Sequence, residues 1–158
     1  AEENVLFTAR EAGFSSSGAP LGAWSKASEQ AAILLANVLI LGGEESAELL
    51  RDELGVEEQL VRIFTEAAKH PLSQLIPYAN AAFRLSFLQT PCSAEKSAAV
   101  DDLFTALMGT VAWAAAQVAQ RGAEAEEPLL NVLDIAVRAL FNHARKRVAQ
   151  LTDDGVQP

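Results

Sequence analysis

The side chains that could carry out chemistry are few in this sequence. His70 and His143 are its two histidines, they lie far apart in the chain, and Cys92 is its one cysteine. A zinc site needs several His, Cys or acidic ligands close together, and a cysteine nucleophile needs a partnering histidine. The sequence contains neither a Gly-rich phosphate loop nor a Ser-His-Asp arrangement. We therefore predict a non-enzymatic protein without a metal site or a cofactor, in which Cys92 is an accessible loop thiol.

Acidic residues are the most numerous ionisable groups, and many of them lie close together in the first half of the chain. The members of this group are Glu44, Glu45, Glu48, Asp52, Glu53, Glu57 and Glu58. Charged side chains on short amphipathic helices normally face the solvent. We interpret the group as a solvated face, and an acidic docking patch is the alternative.

The composition favours one helical domain in an acidic protein. The chain has 158 residues, of which 50% are hydrophobic, and its net charge is −9. Ala and Leu dominate the apolar residues, and both favour helices. The negative charge disfavours nonspecific binding of nucleic acids, which depends on Lys and Arg contacts to phosphates. We therefore expect no nucleic-acid partner.

The cysteine content and the apolar runs indicate in which cellular compartment the protein is expected. A single cysteine excludes an intrachain disulfide, so we expect a cytoplasmic protein, with the nucleus as the alternative. The longest apolar run, residues 31–41, is shorter than the roughly 20 residues of a membrane span. Acidic Glu2 and Glu3 stand where a signal peptide would be basic. The first residue is Ala rather than Met, which suggests a processed or excised chain.

The order of the predicted helices is a regular one. Residues 25–41 form a long helix capped by Ser25 or Ser28, and Gly42 or Gly43 ends it in the left-handed conformation. Three further helices follow, with breaks at Gly55 and Pro71, over residues 46–54, 56–69 and 75–88. We expect Pro77 in the first turn of the last of these, where a missing N–H costs little.

The second half of the chain contains two long predicted helices. Ser93 begins the first, in which apolar residues recur at spacings of three and four between Val100 and Val118. We expect Gly109, in its interior, to mark close packing with a neighbouring helix. The second begins at Pro128 and runs to about residue 151. The predicted organisation is an N-terminal helix and linker (1–24), a helical domain (25–151) and a flexible tail (152–158).

The long helices share a local sequence pattern. It reads Leu-Ala-Asn-Val at 35–38, Leu-Ser-Phe-Leu at 85–88 and Ala-Leu-Phe-Asn at 139–142. This pattern resembles the third-helix signature of the armadillo family of helical repeats, and the loop and short helices between residues 42 and 61 are similar to that family as well. The resemblance covers about residues 31–148 and implies an all-α, right-handed armadillo-like stack of about two to three repeats. An irregular bundle of about five to six helices is the alternative fold.

The resemblance also implies a set of partner-binding residues. In armadillo-like stacks the third helices line a concave groove that binds extended peptides. Carried over to this chain, the groove set comprises Asn37, Arg84, Ser86, Arg138, Asn142, Arg145 and Lys146. The Trp that some family members place one turn before the Asn is replaced here by Ile33, Ala82 and Arg138, so an acidic or amphipathic helical ligand suits the groove better than a basic peptide. The alternative without a binding role is that these basic residues lie near a helix C-terminus, where positive charge interacts favourably with the helix macrodipole.

These patterns together predict a non-enzymatic interaction or scaffold module that binds a protein or peptide partner in a groove of its long helices. The first alternative is homo-oligomerisation or assembly, in which the exposed ends of a short stack pair with another copy. The second alternative is a small helical ligand carrier or enzyme with a pocket between its helices.

Overall fold

The computed structural model describes residues 21–89 and 92–155, and this part of the chain is all-helical, as predicted. Its α-helices are α1 (Leu21–Leu41), α2 (Gly43–Asp52), α3 (Val56–Thr65), α4 (Leu72–Leu85), α5 (Ala94–Arg121) and α6 (Glu127–Gly155). Short 3₁₀ helices follow α3 (Ala67–Lys69) and α5 (Gly122–Glu124). The predicted N-terminal helix and most of the linker lie outside the described residues.

The breaks between the helices have local causes that the sequence predicted. Gly43 and Gly55 have φ angles of +68° and +57°, so glycine is required in both turns. Ser93 caps α5, and its Oγ accepts a hydrogen bond from the backbone N–H of Lys96 at 3.2 Å. A helix cap of this kind satisfies one of the free N–H groups of the first turn.

The ends of the outer helices differ from the prediction. Helix α1 begins at Leu21, so Ser25 and Ser28 lie inside the helix and not at its N-terminus. Leu21 directly follows Pro20 in the sequence, and prolines are common where helices begin. Helix α6 continues to Gly155, beyond the predicted end near residue 151.

Pro77 is also placed differently from the prediction. Helix α4 begins at Leu72, directly after Pro71, so Pro77 lies in the helix interior, where it is buried. A proline there removes one hydrogen bond to the carbonyl four residues earlier, which belongs to Ser73. Ser73 is exposed, so water can solvate this carbonyl and the helix tolerates the proline.

Helix α4 is the middle element of the structure. It packs extensively against α1 on one side and against α6 on the other. Its buried positions cover roughly half of the helix circumference and include Leu75, Tyr78, Ala79, Ala81, Ala82 and Leu85. The alanines allow the neighbouring backbones to approach closely. Helices α1, α4 and α6 therefore form one layer with α4 at its centre.

Helices α3 and α5 form a second pair that joins this layer through α6. Helix α5 packs against both α3 and α6. The buried Thr110 hydroxyl of α5 donates to the Phe64 carbonyl of α3 at 3.1 Å. Within the described residues, the segment Ala94–Glu124 is the one helix long and apolar enough to cross a membrane by length and composition. In this fold it buries Leu103, Phe104 and Leu107 against its neighbours.

Gly109 does not mark close packing, contrary to the expectation from the sequence. It is exposed on α5, and apart from its own chain neighbours and the backbone of its own helix no atom lies within 4 Å of the position that a Cβ would occupy. We expect Gly109→Ala to raise the free energy of unfolding by about 1 kcal/mol, because alanine is the better helix former. Chemical denaturation measures this change.

Gly55→Ala is the matched control for this substitution. Its φ of +57° is strained for alanine, and an added Cβ would lie 2.8 Å from a Glu58 carboxylate oxygen. We expect it to lower the free energy of unfolding by roughly 1–2 kcal/mol. Equal effects of the two substitutions would contradict this account of the helix and its turn.

Candidate functional site

Three residues of the predicted groove set lie together where α6 crosses the end of α4. The Asn142 side-chain amide donates to Ser86 Oγ at 3.2 Å, and Ser86 Oγ donates to the Phe83 carbonyl. Lys146 Nζ donates to the Leu88 carbonyl at 2.5 Å. Ser86 is only 3% exposed. The polar groups of these residues therefore join α4 to α6.

The other four residues of that set are exposed. Arg84 extends over the ring of Phe83, with its guanidinium carbon 5.9 Å from the ring centroid. Arg138 pairs with Asp134, one turn earlier on α6, at 3.0 Å. Arg145 lies further along the same helix, and Asn37 lies on α1. These side chains are available to a partner, whereas Ser86 is not.

A cavity of about 170 Å³ lies beside this junction, where α2, α3, α5 and α6 meet the end of α4. One wall is apolar and is formed by Leu85, Leu88, Val100, Leu103 and Phe104. The rest is polar and contains Arg51, Glu57, His143, Lys146 and Arg147, together with Cys92. Residues from both halves of the chain therefore line one cavity.

Three cations converge on this cavity. Arg51 is 4% exposed and forms a two-point ion pair with Asp52, with Nε–Oδ1 and Nη2–Oδ2 distances of 2.7 and 3.0 Å. Arg147 binds Asp101 and donates to other side chains. Burial lowers the pKa of Lys146, and the nearby Arg51 and Arg147 lower it further. The positive charges therefore repel each other in a partly desolvated site.

Glu57 is a buried carboxyl group, so the expectation that the acidic cluster faces the solvent is wrong for this member. It is 1% exposed, and neither of its side-chain oxygens has a hydrogen-bond partner among the described residues. Burial raises the pKa of Glu57 to about 7, and the neighbouring charge of Glu58 adds to the rise, while the backbone N–H of Glu57 itself, Lys96 and Arg51 oppose it. An unpartnered carboxyl group in this position is costly unless it is neutral or bound.

His143 lies on the same cavity and is held by α5. Its ring stacks on Phe104 with centroids 4.0 Å apart, and Nε2 lies 3.2 Å from Asp101 Oδ1. Nδ1 is buried and has no hydrogen-bond partner among the described residues. Burial lowers the pKa of His143, so the neutral ring is favoured.

Sequence reasoning missed this cavity, although some signals were present. Glu57 lies three and seven residues before the core residues Leu60 and Phe64, and this spacing places it on the buried face of α3. Arg51 follows the buried Ala47 by one helical turn in the same way. Nothing in the local sequence pairs His143 with Asp101, because the packing of α6 on α5 creates that contact.

A second feature is an apolar surface on the outer side of α6, which we call the outer α6 stripe. It consists of Leu130, Val137, Phe141, Ala144, Val148 and Leu151, all of them exposed. The opposite face of the helix buries Val132, Ala136 and Ala139 completely. Phe141 and Leu151 are 64% and 73% exposed. Arg138 and Arg145 lie seven residues apart along one edge of the stripe.

The two features share a helix but face different directions. Among the described residues, no three of His, Cys, Asp and Glu come together as ligands for a metal ion. Cys92 lines the cavity and is half-buried. The cavity is suited to bind a small polar ligand, and the outer α6 stripe is suited to bind another protein surface.

The burial of Glu57 predicts a specific dependence of stability on pH. Its pKa is about 7 in the folded chain and near its ordinary value, about 4.3, in the unfolded chain. The folded state therefore holds the proton more tightly, and the free energy of unfolding should fall by roughly 3–4 kcal/mol as pH rises through this interval. Glu57→Gln should remove this fall, as measured by urea denaturation between about pH 4 and pH 8.

Glu58→Gln is the control, because Glu58 is the neighbouring residue and is exposed. It should leave most of the fall in place. If wild type and Glu57→Gln give parallel curves of stability against pH, Glu57 is not the buried titrating group.

Comparison with family models, with curated proteins and with solved structures gave no match to this chain.

Proposed function

We propose that this chain is a short armadillo-like helical stack that works as a non-enzymatic protein-interaction module. The order of packing supports the stack, since α1, α4 and α6 follow each other in one layer and α3 packs on α5 in a second. Successive third helices and successive second helices of armadillo-like repeats would pack in this way. Helix α2 would then be the short first helix of the repeat that contains α3 and α4.

The exposure of the outer α6 stripe is the main support for the proposed function. Its residues recur at intervals of seven, four, three, four and three. This is the spacing with which an amphipathic helix presents one apolar face to a partner helix. Because α6 ends its layer, no helix among the described residues covers the stripe. A partner helix would continue the layer by packing there.

The charge beside the stripe specifies the partner further. Arg145 and Arg138, the latter paired with Asp134, place positive charge along this edge on a protein whose net charge is −9. A partner helix with acidic residues seven positions apart would place a carboxylate opposite each arginine, and arginine binds carboxylates in a two-point geometry. The proposed partner is therefore an amphipathic helix with an acidic edge. The hydrogen bond between Ser86 and Asn142 favours the outer face of α6 over the predicted groove as the binding surface. Both side chains belong to the groove set, and they bond to each other.

A synthetic peptide tests this proposal directly. The probe is an amphipathic helical peptide with leucines in a heptad pattern and glutamates along one edge. A comparison peptide carries lysines in place of these glutamates. We expect the glutamate peptide to bind the wild-type chain more tightly in fluorescence anisotropy. Arg138→Glu/Arg145→Glu should lower this affinity by tenfold or more and reverse the preference toward the lysine peptide.

Two further variants make the test specific. Phe141→Ala should cost about 2 kcal/mol of binding energy, the loss typical of a central aromatic contact. Arg62→Glu changes an exposed arginine on α3 and should leave binding unchanged. If the two peptides bind equally, or if the double charge reversal has no effect, the charged edge does not select the partner.

Self-association is a second candidate, and α1 provides the observation that favours it. Leu34, Val38 and Leu41 lie on the outer side of α1, with exposures of 51%, 39% and 84%. Pairing of this face with the outer α6 stripe of another copy would join the molecules end to end, and such heterologous contacts produce open chains. Both ends of the α1–α4–α6 layer would then serve in assembly.

Sedimentation analysis over a range of protein concentrations distinguishes the two functions. End-to-end assembly predicts a mean mass that rises continuously with concentration, and Phe141→Glu should return the protein to a monomer. A chain that remains monomeric at all concentrations would exclude assembly and leave the binding of a partner helix as the function of the stripe.

A further inference from the structure

The outer α6 stripe has one gap in its spacing, and a carboxylate occupies the gap. Its residues follow each other at intervals of four and three, except that seven residues separate Leu130 from Val137. Asp134 lies four residues after the first of these and three before the second, so it belongs to the same heptad seam. We propose that Asp134 fixes the register of the partner helix, which carries one basic residue at the seam position opposite this carboxylate.

This inference rests on the proposed function and deepens it, because it concerns the same surface. The proposed partner is an amphipathic helix with an acidic edge, and the inference adds a single lysine or arginine within its apolar seam. A seam of apolar residues alone would let the partner slide by one heptad, or about 10 Å, while keeping similar contacts. A charged residue in the seam makes one alignment better than the others.

Asp134 is solvated in the chain by itself. Its side chain is 60% exposed, and it pairs at 3.0 Å with Arg138, whose side chain is 66% exposed. An exposed ion pair one turn apart on a helix contributes little to stability. The seam position of Asp134 means that a partner helix on the stripe would remove its carboxylate from water. A carboxylate in that situation needs a positive charge close by.

Arg138 does not meet this need by itself in the proposed complex. Arg138 and Arg145 are expected to bind the carboxylates on the acidic edge of the partner. Asp134 then adds a third carboxylate to a surface with two guanidinium groups. A lysine or arginine on the partner supplies the missing positive charge opposite Asp134, and Arg138 can turn to the acidic edge.

The other seam positions require apolar residues on the partner. Val137, Phe141, Val148 and Leu151 follow Asp134 along the seam, and all four are exposed. A basic residue of the partner placed opposite any of them would lose water without gaining a counter-charge. The basic residue is therefore favourable at one seam position and unfavourable at the rest.

A lysine scan of the partner peptide tests the inference. The parent is the glutamate peptide of the preceding experiment, made about three heptads long to match the stripe from Leu130 to Leu151. Each scan peptide has lysine in place of one seam leucine, and its glutamate edge is unchanged. In fluorescence anisotropy we expect one scan peptide to bind the wild-type chain at least about tenfold more tightly than the parent and the other scan peptides.

Three variants of the chain assign this preference to Asp134. Asp134→Leu should reverse it, so that the parent binds at least about tenfold more tightly than the scan peptide that wild type prefers. Asp134→Asn keeps a polar side chain and should abolish the preference for lysine, because only the charge is lost. Asp153→Leu is the matched control, since Asp153 is exposed on α6 outside the stripe, and it should behave like wild type.

The outcomes separate the inference from the proposed function. Suppose that the peptides bind and that Phe141→Ala weakens them. The inference is then wrong if the parent binds wild type as tightly as the best scan peptide, or if Asp134→Leu and Asp134→Asn keep the preference of wild type. If no peptide binds the wild-type chain, or if Phe141→Ala leaves every affinity unchanged, the proposed function fails and the inference fails with it.

Discussion

The burial of α4 between α1 and α6 is the constraint on which the rest of the structure depends. A helix that packs between two others needs small side chains where the neighbouring backbones approach, and Ala79, Ala81 and Ala82 meet that need. Larger side chains such as Leu75 and Tyr78 then fill the space between the helices. Because α4 is the shortest helix of its layer, α1 and α6 extend past it.

The end of α4 creates the polar junction of the fold. Where the helix stops, the carbonyls of Phe83 and Leu88 need partners, and Ser86 and Lys146 provide them. The cavity opens beside this point because α4 no longer fills the space between α2, α3, α5 and α6. Ionisable side chains from both halves of the chain line the space that remains. The same packing that makes the core compact thus leaves a charged pocket at its edge.

Helix α6 separates two surfaces with different chemistry. Its inner side carries His143, Lys146 and Arg147 toward the cavity, and its outer side exposes the apolar stripe. A helix of 29 residues has several turns for each role. An exposed apolar surface of this extent is typical of a surface that meets another protein, whereas the cavity side of the helix is lined by charged groups. One helix therefore separates an exposed apolar stripe from a polar cavity.

The sequence by itself determined the helical class, the glycine turns at Gly43 and Gly55, and the cap at Ser93, because these depend on backbone conformation and near neighbours. The family resemblance predicted comparable positions for Asn37, Ser86 and Asn142, but it did not predict the hydrogen bond between Ser86 and Asn142. The charge of Glu57 favoured exposure to solvent although its spacing from Leu60 and Phe64 places it on the apolar face of α3, and only the tertiary packing of α3 against its neighbours decided that it is buried. The cavity and the His143–Asp101 contact likewise join residues far apart in the chain, so only the arrangement of whole helices could decide them.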